Sequence, residues 1–297
     1  MTCYNPIDAY QNVQSGVVYF HEKARHGETR KLQLSCGQCI GCRLERSRQW
    51  AVRCMHEAAM YTENAFLTLT YNEENLPARN QLNYSDFQKF MKRLRKHAGI
   101  SVRFYMGAEY GSQNDRPHYH ACIFGYNFND RVYFSRSPTG SKLYRSEQLE
   151  RLWPHGYSSI GELTFESAAY IARYCVQKVT GPLAELHYRR EDEEGIYQKI
   201  PEFNKMSLKP GIGATWLAKN ERDVYNHDFI VVNGVKATAP KYYDKLLKRK
   251  DPDKMDQFKA EREVKALSHR HDNTPDRLRA KHEFTKQVTQ QLKRGKV

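Results

Sequence analysis

The sequence has no apolar run near the ~20 residues needed to cross a bilayer. Its first ten residues, MTCYNPIDAY, carry neither the positive cluster nor the apolar core of a secretory signal. Membrane anchoring and secretion are therefore not expected. The seven cysteines, an odd number, fit no disulfide framework, so a cytoplasmic protein with reduced thiols is expected. Internal repeats, low-complexity tracts and a GxxxxGK[ST] phosphate loop are absent from the sequence as well. Acidic residues are in deficit, with 34 Asp and Glu against 48 Lys and Arg, a net charge of +14. That surplus favours a polyanionic partner. Twenty tyrosines and thirteen phenylalanines narrow it towards single-stranded nucleic acid, whose unpaired bases stack on aromatic faces. At 297 residues, 39% hydrophobic and 28% charged, the chain can bury a sizeable core in one main domain with appended segments.

Periodicity divides the chain in three. Residues 1–63 form a cysteine-rich segment, irregular over the first forty residues and then helical over 43–63 with arginines opposite an apolar face. Residues 64–181 alternate strands (65–71, 101–109, 117–125, 156–163) with helices at 85–99, capped by Ser85 or Asp86, and at 165–180, capped by Thr164. One short hairpin connection among them argues for an antiparallel central sheet flanked by helices, an α+β fold. Residues 182–297 form a basic, mainly helical region. From 241 onwards it holds 17 Lys and Arg against 9 Asp and Glu.

Within RPHYHACIFG, His118 and His120 fall on one face of a strand together with Cys122 and Phe124, while Tyr119 points the other way. Two strand histidines alone are as consistent with a solvated edge as with a metal. Glu109, ending the preceding strand, changes that balance. It comes near the histidines across the hairpin, and two imidazoles with one carboxylate suit a catalytic divalent ion with open positions. On the helix at 165–180, Tyr170, Tyr174 and Lys178 are spaced by four and form one stripe beside an apolar face. A phenol is a weak nucleophile at its usual pKa, but a metal-polarised phosphate and a nearby cation remedy that.

Cys36, Cys39 and Cys42 repeat every three residues, and Cys3 is the natural fourth ligand of a structural zinc; free thiols and an iron–sulfur cluster stay open. Cys54 reads as core. In KPGIGATW, Gly211 and Gly213 can present backbone amides, with Lys209, to a DNA phosphate, or can simply form a loop into a helix. Arg116, beside the histidines, is a second DNA-backbone candidate or part of the turn.

The strand histidine pair, the preceding glutamate and the paired helix tyrosines resemble the HUH (histidine–hydrophobic–histidine) endonucleases, with Tyr119 in the middle position. FLTLTYN, RPHYHACIFGY, AAYIARYCVQK, MSLKPGIG and CGQCIGCR are similar to the replication initiators of gokushoviruses, small single-stranded DNA phages, over about residues 1–220. The resemblance implies a five-stranded ferredoxin/RRM-like palm and a protein that nicks phage origin DNA. It implies Tyr170 and Tyr174 as nucleophiles forming a 5′-phosphotyrosine, Lys178 assisting, and Glu109, His118 and His120 holding Mg²⁺ or Mn²⁺. Host replication machinery would be a partner, and the host cytoplasm the place of action. The phosphotyrosine conserves the bond energy for rejoining, so no ATP loop is needed. Two rival readings are a non-catalytic, zinc-stabilised single-strand-binding protein and a single-tyrosine transposase or relaxase.

Overall fold

Apolar and polar residues alternate cleanly in the strands between 64 and 161, and that alternation sets the layers. The computed structural model describes residues 3–22, 26–111, 114–179, 181 and 183–294, apart from the side chains of 174–177 and 291–294. In chain order the elements begin with β1 (Ile7–Asn12), β2 (Val18–Tyr19), β3 (Thr29–Leu34), α1 (Ile40–Ala58), β4 (Asn64–Tyr71), α2 (Tyr84–Ala98), β5 (Arg103–Tyr110) and β6 (Pro117–Phe124). There follow β7 (Val132–Arg136), β8 (Lys142–Arg145), α3 (Glu147–Leu152), β9 (Gly156–Gly161), α4 (Phe165–Gln177), α5 (Leu183–Tyr188), β10 (Arg189–Asp192) and β11 (Gly195–Gln198). The remainder are β12 (Phe203–Met206), α6 (Ala214–Tyr225), β13 (Ile230–Val232), β14 (Val235–Ala237), α7 (Lys241–Lys250), α8 (Pro252–Ser268) and α9 (Pro275–Arg294). No helix among the described residues is long and apolar enough to cross a membrane.

The chain divides into two units, Ser47–Pro252 and, separately, the residues up to Arg46 with those from Asp253 on. Neither boundary coincides with the 63/64 and 181/182 divisions that composition suggests.

The larger unit is built on an antiparallel seven-stranded sheet in the order β12-β5-β6-β4-β9-β8-β7, so the fold is α+β as expected. Five strands were implied. The hairpin β7–β8 extends the sheet at one edge, and its exposed, irregular pairing left little apolar alternation to read.

Residues Leu67, Leu69, Met106, Ala108, Ala121 and Ile123 line one face, packed under Phe87, Phe90, Met91 and Leu94 of α2. Asn83, not Ser85 or Asp86, caps α2, its side chain accepting from the Ser85 amide, and Gly99 closes the helix in the left-handed region at φ 65°. The opposite face carries Tyr105, Cys122 and Phe124 against Ala51 and Cys54 of α1 and Ala168 and Ile171 of α4, so Cys54 is core. Thr164 caps α4 in a capping box with Ser167, as the sequence suggests.

In the smaller unit the first forty residues are not irregular. They form an antiparallel sheet in the order β2-β1-β3. Ala9 is the only side chain of these strands that is buried, so the apolar pattern that betrays a strand is missing. Helix α1 spans Ile40–Ala58 rather than 43–63.

Candidate functional site

Strand pairing assembles the site row by row. Glu109 on β5 lies opposite His118 on β6, His118 opposite Thr70 on β4, and Thr70 opposite Tyr157 on β9. The next row is Gly107, His120, Thr68 and Ser159. Period-two geometry puts both rows on the face that α1 and α4 cover further along.

Gly107 adds no side chain to its row, and Glu109 reaches across the diagonal to His120. Its Oε1 lies 2.7 Å from His120 Nε2, with the two residues only 4% and 7% exposed. The other carboxylate oxygen, Oε2, is buried without a hydrogen-bond partner. Burial pushes the Glu109 carboxyl above its ordinary range, and the His120 contact opposes that.

Each histidine is steadied from β4. Thr68 Oγ1 is 3.0 Å from His120 Nδ1, and Thr70 Oγ1 is 3.2 Å from His118 Nδ1. The Pro117 carbonyl also lies 2.9 Å from His118 Nδ1, and burial lowers the His118 pKa, which favours the neutral ring. His118 Nε2 is turned towards Gly111, where an added Cβ would meet it at 2.9 Å, so a glycine is needed there to leave the ring room. The donors of Glu109, His118 and His120 thus share a face but do not converge within 4.8 Å as metal-ligand atoms do elsewhere in the chain.

The middle residue of the histidine pair faces away into the α2 core. Tyr119 is fully buried, yet its hydroxyl accepts from the Asn83 amide at 2.8 Å and donates to the Asn83 carbonyl at 2.8 Å. Burial raises its pKa to about 12, so it stays a phenol. A tyrosine fits this apolar position because its one polar atom is bonded.

Tyr170, half-buried on α4, sets its ring edge-on to His120, with centroids 5.1 Å apart and planes at 89°. Tyr174 lies one turn further along α4, with its side chain outside the described residues. The expected stripe stops there. Helix α4 ends at Gln177, and Lys178 is its C-cap with ψ 122°, so helical spacing does not carry Lys178 onto the tyrosine face.

The remaining candidates are used differently from expectation. Arg116 donates to the Tyr71 carbonyl at 2.7 Å and pairs with Glu73, so its guanidinium fastens the end of β4. Lys209 is exposed, but the glycines after it offer no open amide cradle. The Gly213 N–H donates to buried Glu57 at 2.7 Å, and Cβ atoms at Gly211 and Gly213 would meet the hydroxyls of Tyr242 and Tyr243 at 2.3 and 2.5 Å. Close tyrosine packing is what demands glycine at both positions.

Residues the sequence reading missed are Thr68, Thr70 and Tyr157. The threonines alternate in FLTLTYN with the period of the histidines, a signal visible in the sequence, but only the register of β4 against β6 pairs them.

The four expected cysteines come together. Their Sγ atoms all lie within 4.8 Å of one another, with Cys36–Cys42 and Cys3–Cys39 both 4.0 Å apart. They are the only such converging group of His, Cys, Asp and Glu among the described residues, and can hold a metal ion such as zinc.

A strand-borne carboxylate and imidazole pair under a tyrosine-bearing helix, in a strongly basic chain, matches one known class. The family model for the Replication-associated protein ORF2 matches residues 64–179, the span from β4 to the end of α4. The chain is 32% identical over 275 residues to the Replication-associated protein VP4 of Bdellovibrio phage phiMH2K, covering 90% of this chain and 83% of that protein. It is 29% identical to the Replication-associated protein ORF2 of Spiroplasma virus 4 across the whole of both. Against the Replication-associated protein ORF4 of Chlamydia phage 1 it is 30% identical, over 73% of this chain and 54% of that protein. The chain belongs to the family of phage replication-associated proteins, in agreement with its resemblance to gokushovirus replication initiators. No solved structure matches it.

Proposed function

We propose that this protein nicks single-stranded phage DNA at the replication origin through a 5′-phosphotyrosine and rejoins it by transesterification, in the host cytoplasm beside the host replication machinery. The observation that carries this reading is the approach of Tyr170 to His120 on the face that also bears Glu109 and His118. The donor set suits a hard divalent ion: a buried carboxylate with one unbonded oxygen, and two imidazoles whose Nδ1 atoms are already engaged. Glu109, His118 and His120 would hold Mg²⁺ or Mn²⁺, with the His118 ring turned from Gly111, and that ion would polarise the scissile phosphate.

The phenol oxygen of Tyr170 or Tyr174 bonds to phosphorus, the bond to the 3′ oxygen breaks, and the freed 3′-OH leaves with the proton the phenol gives up. In the second half of the cycle a 3′-OH attacks the phosphotyrosine and closes the strand. Lys178 steadies the charge that builds on the phosphate. Arg116 and Lys209 contribute positive charge to the DNA path, Arg116 chiefly by positioning β4. Tyr157, 63% exposed at the end of the first row, offers a face for an unpaired base.

The test is incubation of the full chain with single-stranded origin DNA and Mn²⁺, followed by a denaturing gel and peptide mapping of the adduct. Tyr170→Phe and Tyr174→Phe should each block complete cycles, at least one should still form the adduct, and the double variant should form none. An adduct on another tyrosine, or an active double variant, overturns the proposal.

A further inference from the structure

We propose that Cys3, Cys36, Cys39 and Cys42 bind one zinc ion, and that this ion is the anchor on which helix α9 docks through Tyr4. The inference is independent of the nicking reading. Tetrahedral zinc with bonds of ~2.3 Å to sulfur separates its thiolates by roughly 3.8 Å. The two 4.0 Å pairs meet that spacing, whereas a disulfide needs about 2.0 Å. Sulfurs this close enclose a single ion, with no room for a cluster of several irons and bridging sulfides.

The surroundings are those of thiolates. The amides of Tyr4, Cys36 and Cys39 donate to the sulfurs of Cys39, Cys3 and Cys36, each at 3.3 Å. Burial works against ionisation of Cys39, but the amides of Tyr4 and Cys42 and the neighbouring thiols outweigh it and hold this group near 6. Binding replaces four S–H bonds with four S–Zn bonds, releases four protons to solvent and leaves a site of net charge −2.

The unit has little else to hold it. Its buried apolar side chains among the described residues are Cys3, Ala9, Cys39, Cys42, Met255 and Leu278. Half of that core is the thiol cluster itself, too little apolar surface to order the segment without a further tie.

Tyr4 joins the cluster to the distant helix. Its amide is bonded to Cys39 Sγ, its ring stacks on His282 with centroids 5.6 Å apart, and its hydroxyl lies 2.9 Å from Thr285 Oγ1. Arg43, His282 and Lys286 line the cleft beside Cys36 and Cys39, so the basic side of α9 faces the charge that metal loading creates.

The experiment uses the full chain. Elemental analysis should find about one zinc per chain, and replacement by Co²⁺ should give the visible absorption of tetrahedral thiolate coordination. Stripping the zinc with a strong chelator should raise amide exchange in residues 278–290 about tenfold or more while leaving β4, β5 and β6 unchanged. Cys39→Ser should lose the metal. Tyr4→Ala should keep the metal but leave α9 exchanging as in the stripped protein. A chain that holds no metal, or holds iron, overturns the site. Exchange of α9 that is unaffected by stripping, or by Tyr4→Ala in a zinc-loaded chain, overturns the anchoring role.

Discussion

A neutral imidazole has one N–H and one lone pair, and the partner of the first nitrogen decides what the second can do. Thr68 and Thr70 occupy the Nδ1 atoms of His120 and His118, which leaves the Nε2 atoms to face Glu109 and the Gly111 turn. Thr68→Val and Thr70→Val keep side-chain shape and remove only the hydroxyl. Each should weaken Mn²⁺ binding by about 10- to 100-fold with little change in melting temperature, as read from metal titrations of nicking and thermal melts. Tyr157→Ala should cost about 1–3 kcal/mol in single-strand binding, measured by fluorescence anisotropy, without moving the melting temperature. His56 behaves differently, since it stacks on Trp216 with centroids 3.5 Å apart and meets the Tyr243 hydroxyl at 2.9 Å. Burial holds its pKa at about 4. Below its ordinary value near 6.5 the unfolded chain takes up a proton that the folded one refuses, so stability falls as the pH drops from about 6.5 towards 4. The loss at pH 5 should be about 2 kcal/mol, and urea melts of the wild type and His56→Phe at pH 7 and 5 should differ by that amount in their pH response. The face shared by the two histidines was legible from period-two spacing alone. The role of the threonines was not, because it depends on a register between strands nearly fifty residues apart.

The segment from Pro210 to Gly213 shows how one motif can fit two elements' needs. A glycine pair before a helix suggests a phosphate cradle, but here it lets α6 begin close against Tyr242 and Tyr243. Buried Glu57 binds the whole arrangement, pairing with Arg103 at 2.5 Å and accepting from Gly213, while Arg103 also donates to the Pro210 carbonyl at 2.6 Å. Glu57→Ala strands a largely buried guanidinium and an unbonded amide, and should destabilise the larger unit by about 3–5 kcal/mol in denaturant melts. Lys209→Ala, at an exposed position nearby, should shift the same melts by less than about 0.5 kcal/mol. Elements with caps and buried stripes, α2, α4 and β4 to β6, were legible within a few residues. Strands β1 to β3 were not, since almost nothing on them is buried. The place of Lys178 was not legible either, because its spacing presumes a helix that stops one residue earlier.

At the scale of the molecule, the residues up to Arg46 share a unit with those from Asp253 on, while everything between folds separately. No periodicity announces such a partnership, because its two halves are distant in sequence and contribute few apolar side chains. The order of synthesis gives the arrangement a timetable. At 5–20 residues per second the ribosome takes roughly 10–40 s to make the intervening segment, and domains fold as they emerge. Throughout that interval the four thiols are already outside and complete as a ligand set, while α9 does not yet exist. The cysteine site can therefore close around its ion early, and the newborn chain waits with Tyr4 already aligned for a helix that reaches it only after the seven-stranded sheet has folded.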